Sequence, residues 1–151
     1  MASSDIYQGV FGGKNVLHME LAKADLIGAD LQNSNLEEID FYKKDLTGAN
    51  LSGSNLRRAD FKEANIFQAD LSRSDLEEAQ FKGCWLYNAN FTGANLKNVK
   101  FDYLDLGHVN FDGALVEGAT FKRAYFDQST TLPFSHEEAL ERGMLYRPQK
   151  S

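Results

Sequence analysis

Large apolar residues recur at every fifth position over most of the chain. From Val16 to Phe126, all 23 such positions carry Leu, Phe, Ile or Val, and the register never slips. The residue two places earlier is mostly Ala or Ser, and the residue one place earlier is mostly Asp or Asn. A period of five matches neither the roughly 3.6 residues of a helical turn nor the alternation of a flat strand. It predicts a chain that turns a corner every five residues and points one large and one small side chain inward on each short side.

The residues between the apolar positions are suited to corners. Glycine often stands two places after the apolar residue, as at Gly48 and Gly93, where a positive φ is easily adopted. The Asp and Asn side chains can accept hydrogen bonds from nearby backbone N–H groups at the same corners. Both prolines, Pro133 and Pro148, lie beyond the repeats. Their position is expected if every coil donates backbone hydrogen bonds to its neighbour.

The tandem units of the form Ala-Asp/Asn-Leu-x-x, such as Ala49-Asn50-Leu51 and Ala69-Asp70-Leu71, resemble the pentapeptide-repeat family. The resemblance covers roughly residues 16–130. It implies an all-β fold, a right-handed four-sided β-helix of about six coils. Residues 1–15 are interpreted as an N-terminal cap or an imperfect first coil, and residues 131–151 as a C-terminal cap with a short helix.

Four sides of five residues make a coil of 20, so residues 20 apart should stack. One such column is made of phenylalanines, with Leu21 at its foot: Phe41, Phe61, Phe81, Phe101 and Phe121. Stacked rings would fill the tube and fix its shape. With strand layers about 4.8 Å apart, the tube is predicted to be roughly 28 Å long.

The open C-terminal end of the tube needs a cap. The five-residue register stops at Phe126, and a short helix is predicted beyond Pro133. Ser135 and Glu138 have the spacing of a capping box. The apolar residues of this helix segment are expected to face the last coil: Ala139, Leu140 and Met144.

One face of the predicted tube departs most from the repeat, and we name it the aromatic face. It is centred on Leu26, Leu46, Ile66, Leu86, Leu106 and Phe126. Apolar or aromatic residues replace the polar consensus there and form the candidate partner-binding set: Ile27, Phe67, Trp85, Tyr87 and Tyr125. Exposed Trp and Tyr are enriched where proteins bind one another. Coverage of these residues by a cap segment, or simple exposure, is the alternative interpretation.

Two other faces are charged. The charge-ladder face is centred on Leu36, Leu56, Leu76, Leu96 and Val116, and its outward pairs alternate between acidic and basic from coil to coil. This alternation predicts pairing within the face rather than a binding site. The Phe-column face carries more lysine and arginine than acid. It is interpreted either as a solvated surface or as a weak site for an acidic partner.

Catalytic and metal sites are poorly supported. Cys84 occupies an inward small position, which indicates a buried apolar residue rather than a nucleophile. His18, His108 and His136 share no useful spacing with it or with a carboxylate pair. A column of Asp and Asn could be imagined to bind cations, but backbone hydrogen bonding at corners explains it: Asp30, Asn50, Asp70, Asn90 and Asn110. We therefore predict no catalytic residue, metal, cofactor or small-molecule substrate.

Composition adds bounds on class and location. The chain has 151 residues, 42% of them hydrophobic, and a formal net charge of −6, which fits one domain and argues mildly against nucleic-acid binding. The sequence shows no apolar run of membrane-spanning length and no secretory signal. One cysteine excludes an internal disulfide. The expected location is the cytoplasm, with a removed export or transit segment left open.

The family resemblance implies two kinds of role. Some pentapeptide-repeat proteins inhibit or protect type II topoisomerases and are proposed to mimic DNA, whereas many others, abundant in cyanobacteria, act as interaction modules or have no known activity. A DNA mimic needs a long acidic surface, but the acids of this chain are divided among several faces. The favoured prediction is a bacterial non-enzymatic scaffold that binds an unidentified protein partner or itself. A DNA-mimicking inhibitor or protector of gyrase is the alternative.

Overall fold

The computed structural model describes residue 21 and residues 24–148, and the predicted repeats form a β-helix there. Parallel bridges join residues 20 apart, from Asp30 with Asn50 to Asp105 with Tyr125. The predicted cap of residues 1–15 and the predicted start of the repeats at residue 16 lie outside the described residues. Leu21 is buried, but its backbone is helical, which differs from the corner geometry that the pattern predicts there.

Each corner is a β-turn that begins at the large apolar residue. At the first described corner the Leu26 carbonyl accepts a hydrogen bond from the Ala29 N–H at 3.1 Å, and Gly28 between them has a φ of 64°. A positive φ at the third residue of the turn defines type II geometry and favours glycine. Within residues 24–148, thirteen non-glycine residues nevertheless hold the same conformation at equivalent corners, Tyr103 with a φ of 64° among them. The coil therefore imposes this conformation even where the sequence does not supply glycine.

The Asp and Asn residues before each apolar position brace the corners, as predicted. The Asp40 carboxylate accepts from the Tyr42 N–H at 2.8 Å, two residues along the chain. The same bond forms at every member of the column that could be imagined to bind cations: Asp30, Asn50, Asp70, Asn90 and Asn110. In addition, the Asn90 amide donates to the Asp70 carboxylate at 3.1 Å. These side chains are engaged in holding the backbone.

The phenylalanine column runs through the core as predicted. The ring centroids of successive members lie 5.1, 4.9, 5.5 and 5.3 Å apart: Phe41, Phe61, Phe81, Phe101 and Phe121. A second stacked pair, Phe91 and Phe111, meets this column edge to face. Both arrangements are favoured by the ring quadrupole. The column thus stabilises the tube along its length.

The C-terminal end contains the regular elements of the described chain. They are β1 at Tyr125–Phe126, α1 at His136–Glu141 and β2 at Leu145–Tyr146. The strands pair in parallel, so β2 adds a further layer above β1. Between β1 and α1, Thr131 pairs with Asn110, 21 residues away instead of 20. One inserted residue therefore ends the strict register after Phe126, and the parallel pairing extends to Thr131.

Helix α1 closes the end of the core largely as predicted. Ser135 Oγ accepts from the Glu138 N–H at 3.1 Å, which makes Ser135 the N-cap. Among the described hydrogen bonds, the Glu138 carboxylate accepts from Arg142 rather than from the Ser135 backbone, so only half of the capping box forms. Ala139 is fully buried, whereas Leu140 is 56% exposed, and its predicted packing on the last coil is wrong. Six helical residues present only one narrow face to the core, and Leu140 lies outside it.

Candidate interaction surface

Three rings form a row along the aromatic face. Phe67 and Tyr87 stack with their centroids 6.2 Å apart and an 8° angle between planes, and Tyr87 lies 4.7 Å from the His108 ring. Their positions follow from the 20-residue coil, because 67 and 87 occupy the same place one coil apart. Phe67 is half-buried and Tyr87 is 44% exposed. The structure thus brings two of the predicted residues into direct contact.

Trp85 stands at the corner between the aromatic face and the Phe-column face. It is 73% exposed, and the Tyr103 ring beside this corner is 64% exposed. Together they line a groove of about 380 Å³ whose walls also include Phe67, Tyr87 and Asp105. Tyr103 is absent from the predicted set. By its register Tyr103 belongs to the Phe-column face. Only the closeness of neighbouring columns at a corner could have indicated that it lies beside Trp85.

Tyr125 is shielded, unlike Trp85. The Arg147 guanidinium lies 4.1 Å from the centre of the Tyr125 ring, and Arg147 Nη1 donates to Asp105 Oδ2 at 2.8 Å. The segment after β2 therefore covers this end of the aromatic face. For Tyr125 the structure favours the cap interpretation over partner contact.

Ile27 lies apart from the other candidates. It is 58% exposed, but Thr47 separates it from Phe67 in the stacked column of outward residues. Thr47 Oγ1 is bonded to Asp45 and accepts from the Asn65 amide, so a polar pair interrupts the apolar surface. The continuous part of the candidate surface comprises Phe67, Trp85, Tyr87 and Tyr103.

Two titratable groups at this surface have shifted pKa values. Burial raises the pKa of the Cys84 thiol to about 12, opposed by a hydrogen bond with the Trp85 backbone, so the sulfur is protonated at neutral pH. This agrees with the interpretation of Cys84 as a small apolar residue. The pKa of Asp45 is lowered, chiefly by the Thr47 hydroxyl and then by the Thr47 backbone N–H.

The histidines belong to separate environments. His108 Nε2 lies 3.5 Å from Asp127 Oδ2, and His136 packs edge to face on Phe126. His18 lies outside the described residues. Among the residues that the structure describes, no three His, Cys, Asp or Glu side chains are grouped closely enough to hold a metal ion.

The charge-ladder face pairs its charges between coils, as its alternation predicts. Arg58 Nε donates to Glu38 one coil below at 2.8 Å, and Arg57 reaches in the opposite direction to Glu77. Further up the same face, Lys97 Nζ lies 3.2 Å from Glu117. The acids of this face are therefore neutralised by neighbours rather than gathered into an acidic surface.

The Phe-column face is less basic than its lysine count indicates. Lys62 lies 2.9 Å from Asp60, and Lys43 lies 3.5 Å from Glu63. The pKa of Lys43 is raised, first by a hydrogen bond with Tyr42 and then by the Glu63 charge. Exposed cations remain on the upper coils, including Lys82 and Lys122. Pairing on the lower coils favours the solvated interpretation for that part of the face.

Comparison with known proteins agrees with this geometry. A family model described as a pentapeptide repeat region matches residues 54–130, that is 77 of the 151 residues, and a model of eight pentapeptide repeats matches residues 18–43. The chain belongs to the pentapeptide-repeat family. Proteins of this family are generally structural or scaffold proteins.

Several solved structures of pentapeptide-repeat proteins are similar to this chain. One from the thylakoid lumen of Arabidopsis thaliana is 24% identical with a TM-score of 0.51, and the match covers 87% of this chain and 75% of that one. Rfr23 from the cyanobacterium Cyanothece 51142 is 29% identical with a TM-score of 0.39, over 81% and 80% of the two chains. QnrB1, a plasmid-mediated fluoroquinolone resistance protein, is 19% identical with a TM-score of 0.47, over 91% and 89%. No curated protein matches this chain.

Within a pentapeptide-repeat protein, the residues that break the repeat stand out. Trp85 occupies a position that carries Asp or Asn in most coils, and Leu104 occupies one that usually carries Ala or Ser. Both lie at the same corner and line the same groove. The repeat explains the scaffold, whereas these exceptions distinguish one corner of this member from the rest of its surface.

No helix within the described residues is long and apolar enough to cross a membrane.

Proposed function

We propose that this chain is a non-enzymatic scaffold that binds a protein partner, or a second copy of itself, through the aromatic face. The observation that carries the proposal is the pair of exposed rings, Trp85 and Tyr103, that line a groove of about 380 Å³. Outward positions of the repeat are otherwise mostly polar. Exposed Trp and Tyr side chains provide much of the binding energy at protein interfaces.

The scaffold holds the Phe67 and Tyr87 rings ready for contact. Phe67 donates its backbone N–H to the Asn65 side chain at 3.1 Å, and its ring stacks on Tyr87. The corners beneath them are closed by turn hydrogen bonds, for instance from the Ala69 N–H to the Ile66 carbonyl at 3.0 Å. Because little ordering is needed on binding, more of the contact energy is retained as affinity.

One acidic contact at the groove indicates the chemistry that a partner would use. Asp105 lines the groove and pairs with the chain's own Arg147 at 2.8 Å. The chain's own Arg147 shows how this face accommodates a guanidinium, between the Tyr125 ring and the Asp105 carboxylate. A partner with an apolar anchor next to Arg or Lys would use the same chemistry.

Other functions receive less support. The Cys84 thiol is protonated at neutral pH, and the corner carboxylates are occupied with backbone N–H groups, so neither is poised for catalysis. A DNA-mimicking role would need a continuous acidic surface, whereas the charge-ladder face pairs Glu38 and Glu77 with arginines. The cytoplasm is the location proposed for this scaffold.

The proposal can be tested by affinity capture from the native source with single variants. We expect Trp85→Ala and Tyr87→Ala to weaken capture of the bound protein at least about tenfold, since aromatic anchors contribute most to binding. Tyr42→Ala is the matched control, because Tyr42 and Tyr87 are both 44% exposed but Tyr42 lies on the Phe-column face. Equal losses for Tyr42→Ala and Tyr87→Ala would contradict a role for the aromatic face.

Intrinsic fluorescence gives a second readout for the isolated protein and partner. The chain contains one tryptophan, so its emission reports on the groove alone. Acrylamide should quench Trp85 efficiently in the free protein and much less in the complex. Self-association is followed by sedimentation equilibrium, where Trp85→Ala should lower the average mass if the partner is a second copy. Unchanged quenching in the complex would exclude Trp85 from the interface.

A further inference from the structure

The backbone hydrogen bonds between coils follow a repeating pattern. On each side of the tube, the backbone N–H of the large apolar residue donates to a carbonyl of the coil above. The N–H of the residue two places later does the same. The residue before the large apolar one donates to the coil below. Around Ile66, for example, the Ile66 N–H donates to Trp85 at 2.9 Å, Gln68 to Tyr87 at 3.1 Å and Asn65 to Lys44 at 2.9 Å.

Between two coils this pattern fails on two adjacent faces, and we name this junction the seam. It separates residues 79–88 from residues 99–107, on the Phe-column face and the aromatic face. Four N–H groups that should bridge it donate to no backbone carbonyl, among residues that the structure describes throughout: Gly83, Leu86, Asn88 and Asp105. Gln80 still pairs in register with Lys100, but within this described region Trp85 forms no bridge with Asp105.

The seam is bounded, because the junctions directly next to it are fully bonded; elsewhere on the aromatic face, the N–H groups of Leu26 and Asp45 also lack a backbone acceptor near the lower end of the described chain. One coil lower, Phe61 and Ile66 donate across the equivalent junction at 2.8 and 2.9 Å. One coil higher, Phe101 and Leu106 do so at 2.8 Å each. On the opposite two faces of the same pair of coils, the N–H groups of Phe91, Gly93, Leu96 and Asn98 also bridge normally, at 2.7 to 2.9 Å. The interruption therefore affects part of one junction, from Gly83 to Asn88.

One side chain at the seam is larger than the repeat usually provides. Leu104 lies at an inward position that usually carries Ala or Ser, and it is buried. Leu104 stacks above Cys84 rather than above Ala. Extra buried methyl groups push neighbouring backbone apart. The step from Phe81 to Phe101 is the widest of the phenylalanine column, 5.5 Å against 4.9 Å for the step below it.

Both ends of the seam open to the surface. The groove beside Trp85 lies at one end, with Gly83, Cys84 and Leu104 in its wall. A second groove of about 370 Å³ lies at the other end, lined by Ala79, Gln80, Phe81, Lys82 and Lys100 among others. Water can reach the unpaired N–H groups from these grooves.

We propose that the β-helix opens at the seam, so that the two coils separate there while the rest of the fold stays intact, exposing Cys84 and Leu104. In a solenoid each coil contacts only its neighbours, so the junction with the fewest bonds sets the easiest partial opening. The opening enlarges the groove beside Trp85. This inference rests on the backbone and does not depend on the proposed function.

Hydrogen exchange on the wild-type chain tests the seam directly. The amides of Gly83, Leu86 and Asn88 should exchange at least about 100-fold faster than their counterparts one coil below, Glu63, Ile66 and Gln68. Equal protection of the two sets would overturn the proposal.

Thiol labelling tests the opening. With Ellman's reagent, Cys84 should react at denaturant concentrations below the global midpoint, with a weaker denaturant dependence than global unfolding. The matched control is Ala64→Cys in a Cys84→Ala background, which places a thiol in the same column one coil below and should react only with global unfolding. Far-ultraviolet circular dichroism confirms that the control folds. If Cys84 reacts only as the whole protein unfolds, the proposal that the β-helix opens at the seam is overturned.

Discussion

The charge-ladder face and the aromatic face are built on the same corners but use them differently. On the charge-ladder face, Arg57 and Arg58 pair with acids above and below, so the outward residues satisfy one another. On the aromatic face, Trp85 is 73% exposed beside a groove, and its ring has no comparable partner among the described ring contacts. The first face strengthens the tube. The second leaves apolar surface available.

This contrast shows which part of a five-residue repeat is free to vary. The inward residues and the braced corners are common to both faces, as the Asn55–Arg57 and Asn65–Phe67 bonds illustrate at 3.2 and 3.1 Å. Most outward side chains are not needed to close the coil. They can therefore be used for stability on one face and for recognition on another without changing the fold.

The largest expected effect comes from breaking what the two faces share. Phe61 stacks between Phe41 and Phe81 and is fully buried. We expect Phe61→Ala to lower the free energy of unfolding by about 3–5 kcal/mol, because it leaves a cavity in the column. Guanidinium denaturation measures the change. Phe61→Leu is the control and should cost much less, since the other columns carry mainly Leu; equal losses for the two variants would show that ring stacking contributes little.

The fold could be predicted from the sequence because it depends on the period alone. Every fifth residue from Leu26 to Phe126 is inward, and the 20-residue stacking of the phenylalanines follows from the number of sides. Strand β2 could not be predicted in this way. Leu145 and Tyr146 carry no repeat, and their pairing with β1 depends on how α1 directs the chain back.

The candidate site was less predictable for a related reason. Register assigns residues to faces, but it does not describe contacts across a corner or from distant segments. Tyr103 joins Trp85 across a corner, and Arg147 reaches Tyr125 from 22 residues further along the chain. The seam depends on backbone hydrogen bonds between coils, and no single position departs enough from the repeat to indicate it.

A paired substitution tests the difference between the two faces. Arg57→Glu would place like charges beside Glu77 and Asp75, so we expect Tm to fall by several degrees, with much of the loss recovered in high salt. Trp85→Ala should change the free energy of unfolding by no more than about 0.5 kcal/mol, because the ring is mostly exposed. Differential scanning calorimetry at low and high salt compares them. A larger loss for Trp85→Ala would mean that the aromatic face is structural.

A smaller effect distinguishes the backbone strain at a corner from the ion pairs that its side chain makes. Gln68 on the aromatic face has a φ of 57°, and Gln68→Gly should stabilise the protein by about 0.5 kcal/mol, because relief of a left-handed conformation exceeds the added chain entropy. Arg58→Gly on the charge-ladder face gains the same relief but loses its bonds to Glu37 and Glu38, so it should destabilise. Urea midpoints measure both. Gly48→Gln, with nothing within 4 Å of a new Cβ, is the reciprocal control and should show the opposite sign to Gln68→Gly.

The smallest effect concerns acid sensitivity at the polar pair that separates Ile27 from Phe67. The pKa of Asp45 is lowered below its ordinary value of 3.8, chiefly by the Thr47 hydroxyl. A lowered pKa in the folded state stabilises the protein above the unfolded pKa, and this contribution is lost as the pH falls through the folded value. Asp45→Asn keeps an oxygen that can accept from Thr47 but cannot titrate. We therefore expect wild type to have the higher urea midpoint near neutral pH, and the two midpoints to converge as the pH falls below the folded pKa of Asp45. A constant difference across this range would show that the Asp45 charge does not contribute, and the corner would then be held by hydrogen-bond geometry alone, as it is at Asn65 one coil above.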